Sequence, residues 1–368
     1  MSDVLILGDT VRSPELRHEV PVPIGDPFVY VERDAGRHVF VGSLEIPRLE
    51  HVDGLVVTPL EALGLDELVA AGLRYHDLEL ELVLRACRSL GVDDAVTPRA
   101  FPLEAADHLR RNGIAVRPDG ELFDLRRRRK TASEIEGIRR AQRACERALD
   151  AIRAELRTAA APTCASARAR ALQAFNEAGV LVPDLPIVSH GAQTAVGHDP
   201  GSGSIAEGEP VVVDLFPQDP ESGCFADTTR TFCLGEPPAE LVEYHRLCRE
   251  ALELVVPRVR PGVLGRELFG LVCDHFEAAG YTTQRTKEPG AVLEDGFFHS
   301  LGHGVGLDVH EQPFLGRLGT DELVPGDVLA IEPGLYRKGY GGCRLEDLVL
   351  VTEDGCEVLT DYPYDLAP

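Results

Sequence analysis

A carboxylate that interrupts an apolar strand is the feature that most limits what this chain can become. In Val211-Val212-Val213-Asp214-Leu215-Phe216, Asp214 must be paired, metal-bound or turned to water, because burying an isolated charge costs many kcal/mol. Related arrangements recur along the chain. Phe225-Ala226-Asp227-Thr228-Thr229-Arg230-Thr231 opens a threonine-rich run that suits a sheet, with its acid thirteen residues beyond the first. The two acids fit opposite strands of one hairpin, with a loop at Pro217–Gly223. Leu329-Ala330-Ile331-Glu332-Pro333-Gly334 ends an apolar run in an acid, and Cys343-Arg344-Leu345-Glu346-Asp347 carries another. Between these pairs, the segment Phe297 to Glu311 holds His299, His303 and His310, spaced four and seven residues apart. Its glycines let backbone approach whatever the imidazole of His303 binds.

Taken singly, each of these residues has an ordinary explanation: a strand-end acid is more often a salt-bridge partner than a ligand, and a lone histidine is more often a satisfied core or surface residue. Jointly, four carboxylates and one imidazole form a hard, oxygen-rich donor set of the kind that holds two divalent ions ~3.5–4 Å apart.

The remainder of the chain supplies a scaffold for such a site. With 368 residues, two domains are expected. Residues 1–125 alternate candidate strands (Val4–Leu7, Phe28–Glu32, His38–Val41, Leu55–Thr58, Ala115–Arg117) with candidate helices (Leu65–Ala71, Asp77–Leu90, Leu103–Arg111), the pattern of a small α/β domain. Neither a phosphate loop nor a concentration of His, Cys and acids occurs there. The basic run Arg126–Lys130 reads as a solvated linker at residues 126–130, since Thr131 and Glu134 then open a long helix with a capping box. Residues 131–368 show helices and then strands, twice over, which suggests a domain of two similar halves.

Composition narrows the function. The net charge of −24 disfavours nucleic acid, which needs clustered cations. Only Lys130, Lys287 and Lys338 are lysines, so 37 − 3 = 34 of the basic residues are arginine, as coding bias and a solvated acidic surface would produce. No apolar run approaches the ~20 residues that span a bilayer, and the first ten residues lack the pattern of a signal peptide, so neither membrane nor export is expected. Nine scattered cysteines, no two closer than nine positions, fit reduced thiols in a cytoplasm.

The joint pattern over residues 131–366 closely resembles the pita-bread metallopeptidases, the superfamily of methionine aminopeptidase, aminopeptidase P and prolidase. A weaker resemblance extends to the α/β domain that precedes the catalytic domain in aminopeptidase P, prolidase and creatinase. The resemblance implies an α+β fold with a C-terminal catalytic domain of two pseudo-symmetric halves, a homodimer, and a peptide substrate. It also implies two divalent metals per chain, with manganese favoured over cobalt, zinc or iron. It assigns Asp214 to chelate one metal, Asp227 and Glu346 to bridge both, and His303 and Glu332 to bind the other. His198, His299 and His310 match the family's three histidines that are not ligands, and Arg344 matches the arginine two positions before the bridging glutamate. Two departures stand out. The loop between the aspartates is two residues longer than is common, and Phe225 stands where a tyrosine is frequent. His190 has no role in the family pattern and reads as structural.

In this reading Glu332 moves a proton to the leaving amine, His310 stabilises the oxyanion, and His198 and His299 position substrate and relay protons. The resemblance further implies cleavage before proline. A Xaa-Pro nitrogen has no N–H, so an apolar wall must face it, and Phe297, Phe298 and Val305 are candidates, although three apolar residues near a turn serve at least as readily as plain core. Two rivals remain: a creatinase-like amidinohydrolase and a non-catalytic protein-binding module, both of which should have shed the metal ligands that this chain retains.

Overall fold

The computed structural model describes residues 2–368, which divide into two compact units, 2–127 and 128–368. The first unit contains β1 (Asp3–Gly8), α1 (Pro14–Glu19), β2 (Phe28–Arg33), β3 (Gly36–Val41), α2 (Ile46–Leu49), β4 (Leu55–Pro59), α3 (Leu65–Ala70), α4 (Tyr75–Leu90), β5 (Asp94–Thr97), α5 (Leu103–Arg111) and β6 (Ala115–Pro118). Helix α6 (Gly120–Arg128) follows. The six strands form one sheet in the order β4-β3-β2-β1-β5-β6. Period-2 alternation on β1 sends Leu5 into one apolar cluster and Val4 and Ile6 into another, so both faces are covered.

The basic run is not the solvated linker that its charge suggests. Arg126, Arg127 and Arg128 lie within α6, and Arg127 and Arg128 are buried. Each guanidinium has a carboxylate partner: Arg126 pairs with Glu32 at 2.7 Å, Arg127 with Glu15 at 3.9 Å and Arg128 with Asp327 at 2.8 Å. Specific acid partners override the tendency of a charge run to seek water.

The second unit begins with α7 (Ala132–Thr158), whose N-cap Thr131 accepts from Glu134 N–H while the Glu134 side chain accepts from Thr131 N–H. Then come α8 (Cys164–Ala178) and the antiparallel strands β7 (Ile187–His190), β8 (Pro210–Leu215) and β9 (Thr228–Cys233). A second pair of helices, α9 (Ala239–Val255) and α10 (Gly265–Ala278), precedes β10 (Asp295–Gly296), β11 (Gly302–Gly304), β12 (Glu311–Leu315), β13 (Val328–Ile331), β14 (Gly334–Arg337), β15 (Gly341–Arg344), β16 (Asp347–Val351) and β17 (Cys356–Val358). The unit therefore carries a helix pair followed by strands, twice. Its sheets are β7-β8-β9, β10-β14-β15 and the five-stranded β12-β11-β13-β16-β17.

The five-stranded sheet is buried on both faces. Val328 and Ala330 of β13 and Leu348 and Leu350 of β16 join the core formed with α7 and α8, whereas Leu329, Ile331, Val349 and Val351 join the core formed with α9 and α10. Burial on both faces explains why these strands read as continuous apolar runs, and why acids stand only at their ends. Phe297 packs against Phe269 and Phe276 in the second core, and Val305 lies in the first, so neither is available as a wall for substrate. Both are fully buried by neighbours that the sequence separates widely.

Gly302 lets β11 lie against β13, since a Cβ there would fall 1.9 Å from the Ala330 carbonyl oxygen. Gly302→Ala is expected to destabilise metal-free protein by roughly 1–3 kcal/mol or more through overpacking, read as a lower urea midpoint. Gly270→Ala is the contrasting control. It lies inside α10 with nothing within 4 Å of an added Cβ, and should stabilise by about 0.5–1 kcal/mol.

Candidate metal centre

Strand register brings the acids together in pairs. Strands β8 and β9 pair with Asp214 opposite Thr229, so Asp227, two residues before Thr229, continues on the face that Asp214 occupies. Strands β13 and β16 pair with Ile331 opposite Asp347, which puts Glu332 and Glu346 side by side at one end of that ladder. His303 is central in β11, opposite Ala330 of β13, two residues from Glu332. The loop between the aspartates is pinned by the Asp219 carboxylate, which accepts from Ser222 N–H, Ser222 Oγ and both arms of Arg140.

All nine residues singled out from the sequence line one cavity of about 300 Å³: Asp214, Asp227, His303, Glu332, Glu346, His198, His299, His310 and Arg344. Within it, ligand-type atoms of Asp227, His303 and Glu346 all lie within 4.8 Å of one another. His303 Nε2 is 3.8 Å from Asp227 Oδ2 and 3.8 Å from Glu332 Oε1. Asp214 is turned partly aside, its Oδ2 accepting from Arg344 Nη2 at 2.7 Å.

The donor set fits cations. Buried Asp214 Oδ1 and Asp227 Oδ1 have no hydrogen-bond partner among the described residues, a costly state that a cation would relieve. His303 Nδ1 donates to the Gly304 carbonyl at 3.1 Å, leaving the Nε2 lone pair aimed at the carboxylates, the tautomer of a metal ligand.

Electrostatics point the same way. Burial, reinforced by Glu346, Asp214 and Glu332, holds the Asp227 carboxyl well above its ordinary range. Burial, then Asp214 and Glu332, does the same to Glu346. Burial raises Glu332 to about 7 against the lowering effect of Arg344. Burial lowers His303 to about 3, with His310 adding to it, and lowers His299 to about 3, with Arg344 adding to it.

Several supporting residues escaped the sequence reading. Thr229 Oγ1 donates to Glu346 Oε2 at 2.8 Å while accepting from Arg344 Nε at 3.3 Å. Tyr336 OH accepts from Arg344 Nη1 at 3.3 Å and donates to His299 Nε2 at 3.0 Å, since His299 Nδ1 donates to the Ser300 carbonyl. Arg230, 1% exposed, donates to the carbonyls of Thr229, Glu346, Tyr362 and Pro363 and to Asp347 Oδ1. A buried arginine in a threonine strand was the available signal for Arg230; Tyr336 carried none, because a strand tyrosine is ordinary. His190 Nε2 donates to the Ser202 carbonyl at 3.0 Å while Nδ1 lies 2.6 Å from Glu209 Oε2, a structural arrangement.

Metal-free protein should therefore respond to pH in a fixed direction. A carboxyl whose folded pKa is raised stabilises the fold below its unfolded value and loses that contribution as pH climbs through the folded one. The depressed histidines oppose this near their ordinary 6.5 and fade as pH rises above it, so between pH 6.5 and 8 the raised carboxyls dominate. The melting temperature of metal-free protein is expected to fall across that window, and the added stability on metal loading to grow, because ligands must shed protons to bind. A flat or rising metal-free profile would contradict the assignment of the cluster.

Comparison with known proteins gives a consistent set of likenesses. A model of metallopeptidase family M24 matches residues 136–353. A probable dipeptidase PepE of Mycobacterium tuberculosis is 33% identical over 348 residues, covering 87% of each chain. A Xaa-Pro dipeptidase of Pyrococcus furiosus is 33% identical over 232 residues, 63% of this chain and 62% of that one. In fold, the chain resembles the prolidase of Pyrococcus horikoshii, with a TM-score of 0.80 at 23% identity over 100% of this chain and 95% of that one.

Proposed function

Because the chain belongs to metallopeptidase family M24 and is a metallo-exopeptidase, we propose that it releases the N-terminal residue from Xaa-Pro peptides with two divalent metals held by Asp214, Asp227, His303, Glu332 and Glu346. The observation that carries this reading is the convergence of those five side chains on one cavity in which two buried carboxylate oxygens lack partners. A creatinase-like or purely binding role has no use for such a donor set. When bound, the two cations supply Lewis acidity toward the scissile carbonyl and toward the attacking water.

The chain's own groups do the rest. Glu332, half-buried and lining the cavity, suits the transfer of a proton from water to the leaving amine. His310 faces the cavity and serves as a donor to the developing oxyanion. His299, kept neutral by burial and held by Tyr336, and His198 at the cavity wall position the peptide. Arg344 holds Asp214 in place. Phe298 and Phe314 line the cavity and offer an apolar wall for proline.

Manganese or cobalt suits a mostly carboxylate shell, with zinc and iron next. A cytoplasmic location is supported by nine free cysteines. No helix among the described residues is long and apolar enough to cross a membrane. A homodimer, checked by size-exclusion chromatography with light scattering, completes the reading. A dipeptide-restricted form of the activity is favoured by the likeness to a probable dipeptidase and to a Xaa-Pro dipeptidase.

Purified protein with added manganese should hydrolyse a Xaa-Pro dipeptide, and comparison with a Xaa-Pro pentapeptide decides between the two forms. His310→Ala should keep two metals per chain and a near-normal KM while kcat falls by about 10²–10³. Loss of metal instead would make His310 a ligand. Asp227→Ala or Glu346→Ala should largely abolish the rise in melting temperature that manganese gives the wild type, since the ligand-linked stabilisation disappears. An undiminished rise would remove these two residues from the ligand set.

A further inference from the structure

We propose that the ion pair between Lys130 and Glu311 is a positioning device for His310. The proposal rests on the peptidase reading above and adds two residues to its machinery. Lys130 Nζ lies 2.6 Å from Glu311 Oε1, with the two side chains 2% and 1% exposed. Neither residue belongs to the cavity wall, yet Glu311 directly follows His310.

His310 ends the bend at residues 306–310 and is joined by one planar peptide bond to Glu311. Glu311, the first residue of β12, is directed into the protein interior, and His310 into the cavity. Fixing one therefore sets the direction of the other. Lys130 is itself held firmly, because it immediately precedes Thr131, the N-cap of the 27-residue helix α7. On the other side, Glu311 pairs in register with Gly304, next to the proposed ligand His303. The turn between the two histidines is shaped around the ion pair. A Cβ on Gly306 would meet Glu311 Oε1 at 2.6 Å and Lys130 Cε at 2.7 Å. The Gly306 carbonyl in turn accepts from Phe225 N–H at 2.8 Å, two residues before Asp227. The His310 and His303 rings end 4.3 Å apart and nearly perpendicular.

Stability alone does not call for this pair, since replacing a buried ion pair by apolar groups of similar volume is often neutral or stabilising. A buried pair does impose one geometry. It holds His310 where an oxyanion donor must stand, from outside the cavity lining.

The test uses full-length, zinc- or manganese-loaded protein. Lys130→Met alone deprives a buried carboxylate of its lysine and can fail to fold, so the double variant Lys130→Met/Glu311→Met carries the experiment. It is expected to melt within a few degrees of wild type and to keep metal content and KM. Its kcat should fall roughly tenfold or more, the scale of coupling within one network, and this loss should vanish in a His310→Ala background. Lys130→Arg should retain most of the activity. In ¹³C-histidine-labelled zinc protein, the His310 ring resonance, assigned by its absence in His310→Ala, should move in the double variant while that of His299 stays. An unchanged kcat, or an equal loss with and without His310, overturns the proposal. If wild type fails to cleave Xaa-Pro peptides, the peptidase specificity falls, and the His310 resonance alone judges the pair: a shift supports it and no shift overturns it.

Discussion

Repulsion among four carboxylates converging on one cavity is the constraint around which the second unit is built. Desolvation and mutual repulsion push Asp227 and Glu346 toward their protonated forms, so without counter-charge the cluster works against the fold. Two buried guanidiniums offset part of this. Arg344 contacts Asp214 directly and reaches Glu346 through Thr229. Arg230 acts on backbone, binding the carbonyls of Thr229 and Glu346 and so tying β9 to the approach to β16. Its remaining donors go to Asp347 and to the carbonyls of Tyr362 and Pro363, and the Tyr364 ring lies 4.5 Å from its carbon centre. The segment near the end of the chain is thereby tied to the same guanidinium that holds the acid-bearing strands.

How much of this could be read from residues alone follows from the range of the interactions. The capping box at Thr131, the strand over Pro210–Leu215 and the helix over Leu103–Arg111 are local, and the sequence names them almost to the residue. The acids stood out because a charge inside or at the end of an apolar run is costly wherever the run packs. Short elements with little periodicity, such as Pro14–Glu19 and Asp94–Thr97, escaped. So did the role of the arginines in Arg126–Arg128, since Glu32, Glu15 and Asp327 become their partners only once the chain has folded. Phe297 and Val305 looked like wall residues because sequence gives proximity to His299 and His303 but not the direction of a side chain.

Residues around the cavity separate by the kind of restraint they experience. His303 and Glu332 are fixed by neighbouring strands, with the imidazole tautomer set by the Gly304 carbonyl. His299 is held by a relay of side chains, Arg344 to Tyr336 to imidazole, in which each hydroxyl or ring nitrogen has one evident direction of donation. Gly334 makes that relay possible, because a Cβ there would lie 2.4 Å from the Tyr336 hydroxyl.

The two classes of restraint have different consequences for chemistry. A side chain placed by strand register, as the proposed ligands His303 and Glu332 are, is rigid to within the tolerance of the ladder, which suits ions that demand fixed oxygen and nitrogen positions. A histidine placed by a hydrogen-bonded relay keeps its charge state as well as its position, because Tyr336 donates to Nε2 and an imidazolium there would have no lone pair to receive it. The nearby Arg344 charge and burial both oppose protonation of His299. His299 is thus a neutral imidazole whose Nδ1 proton is committed to Ser300 and whose Nε2 lone pair is committed to Tyr336. Moving a proton through it would require Tyr336 to rotate away. The unrelayed His310, which lines the cavity, can donate to a new charge without first breaking a hydrogen bond to another of the described residues.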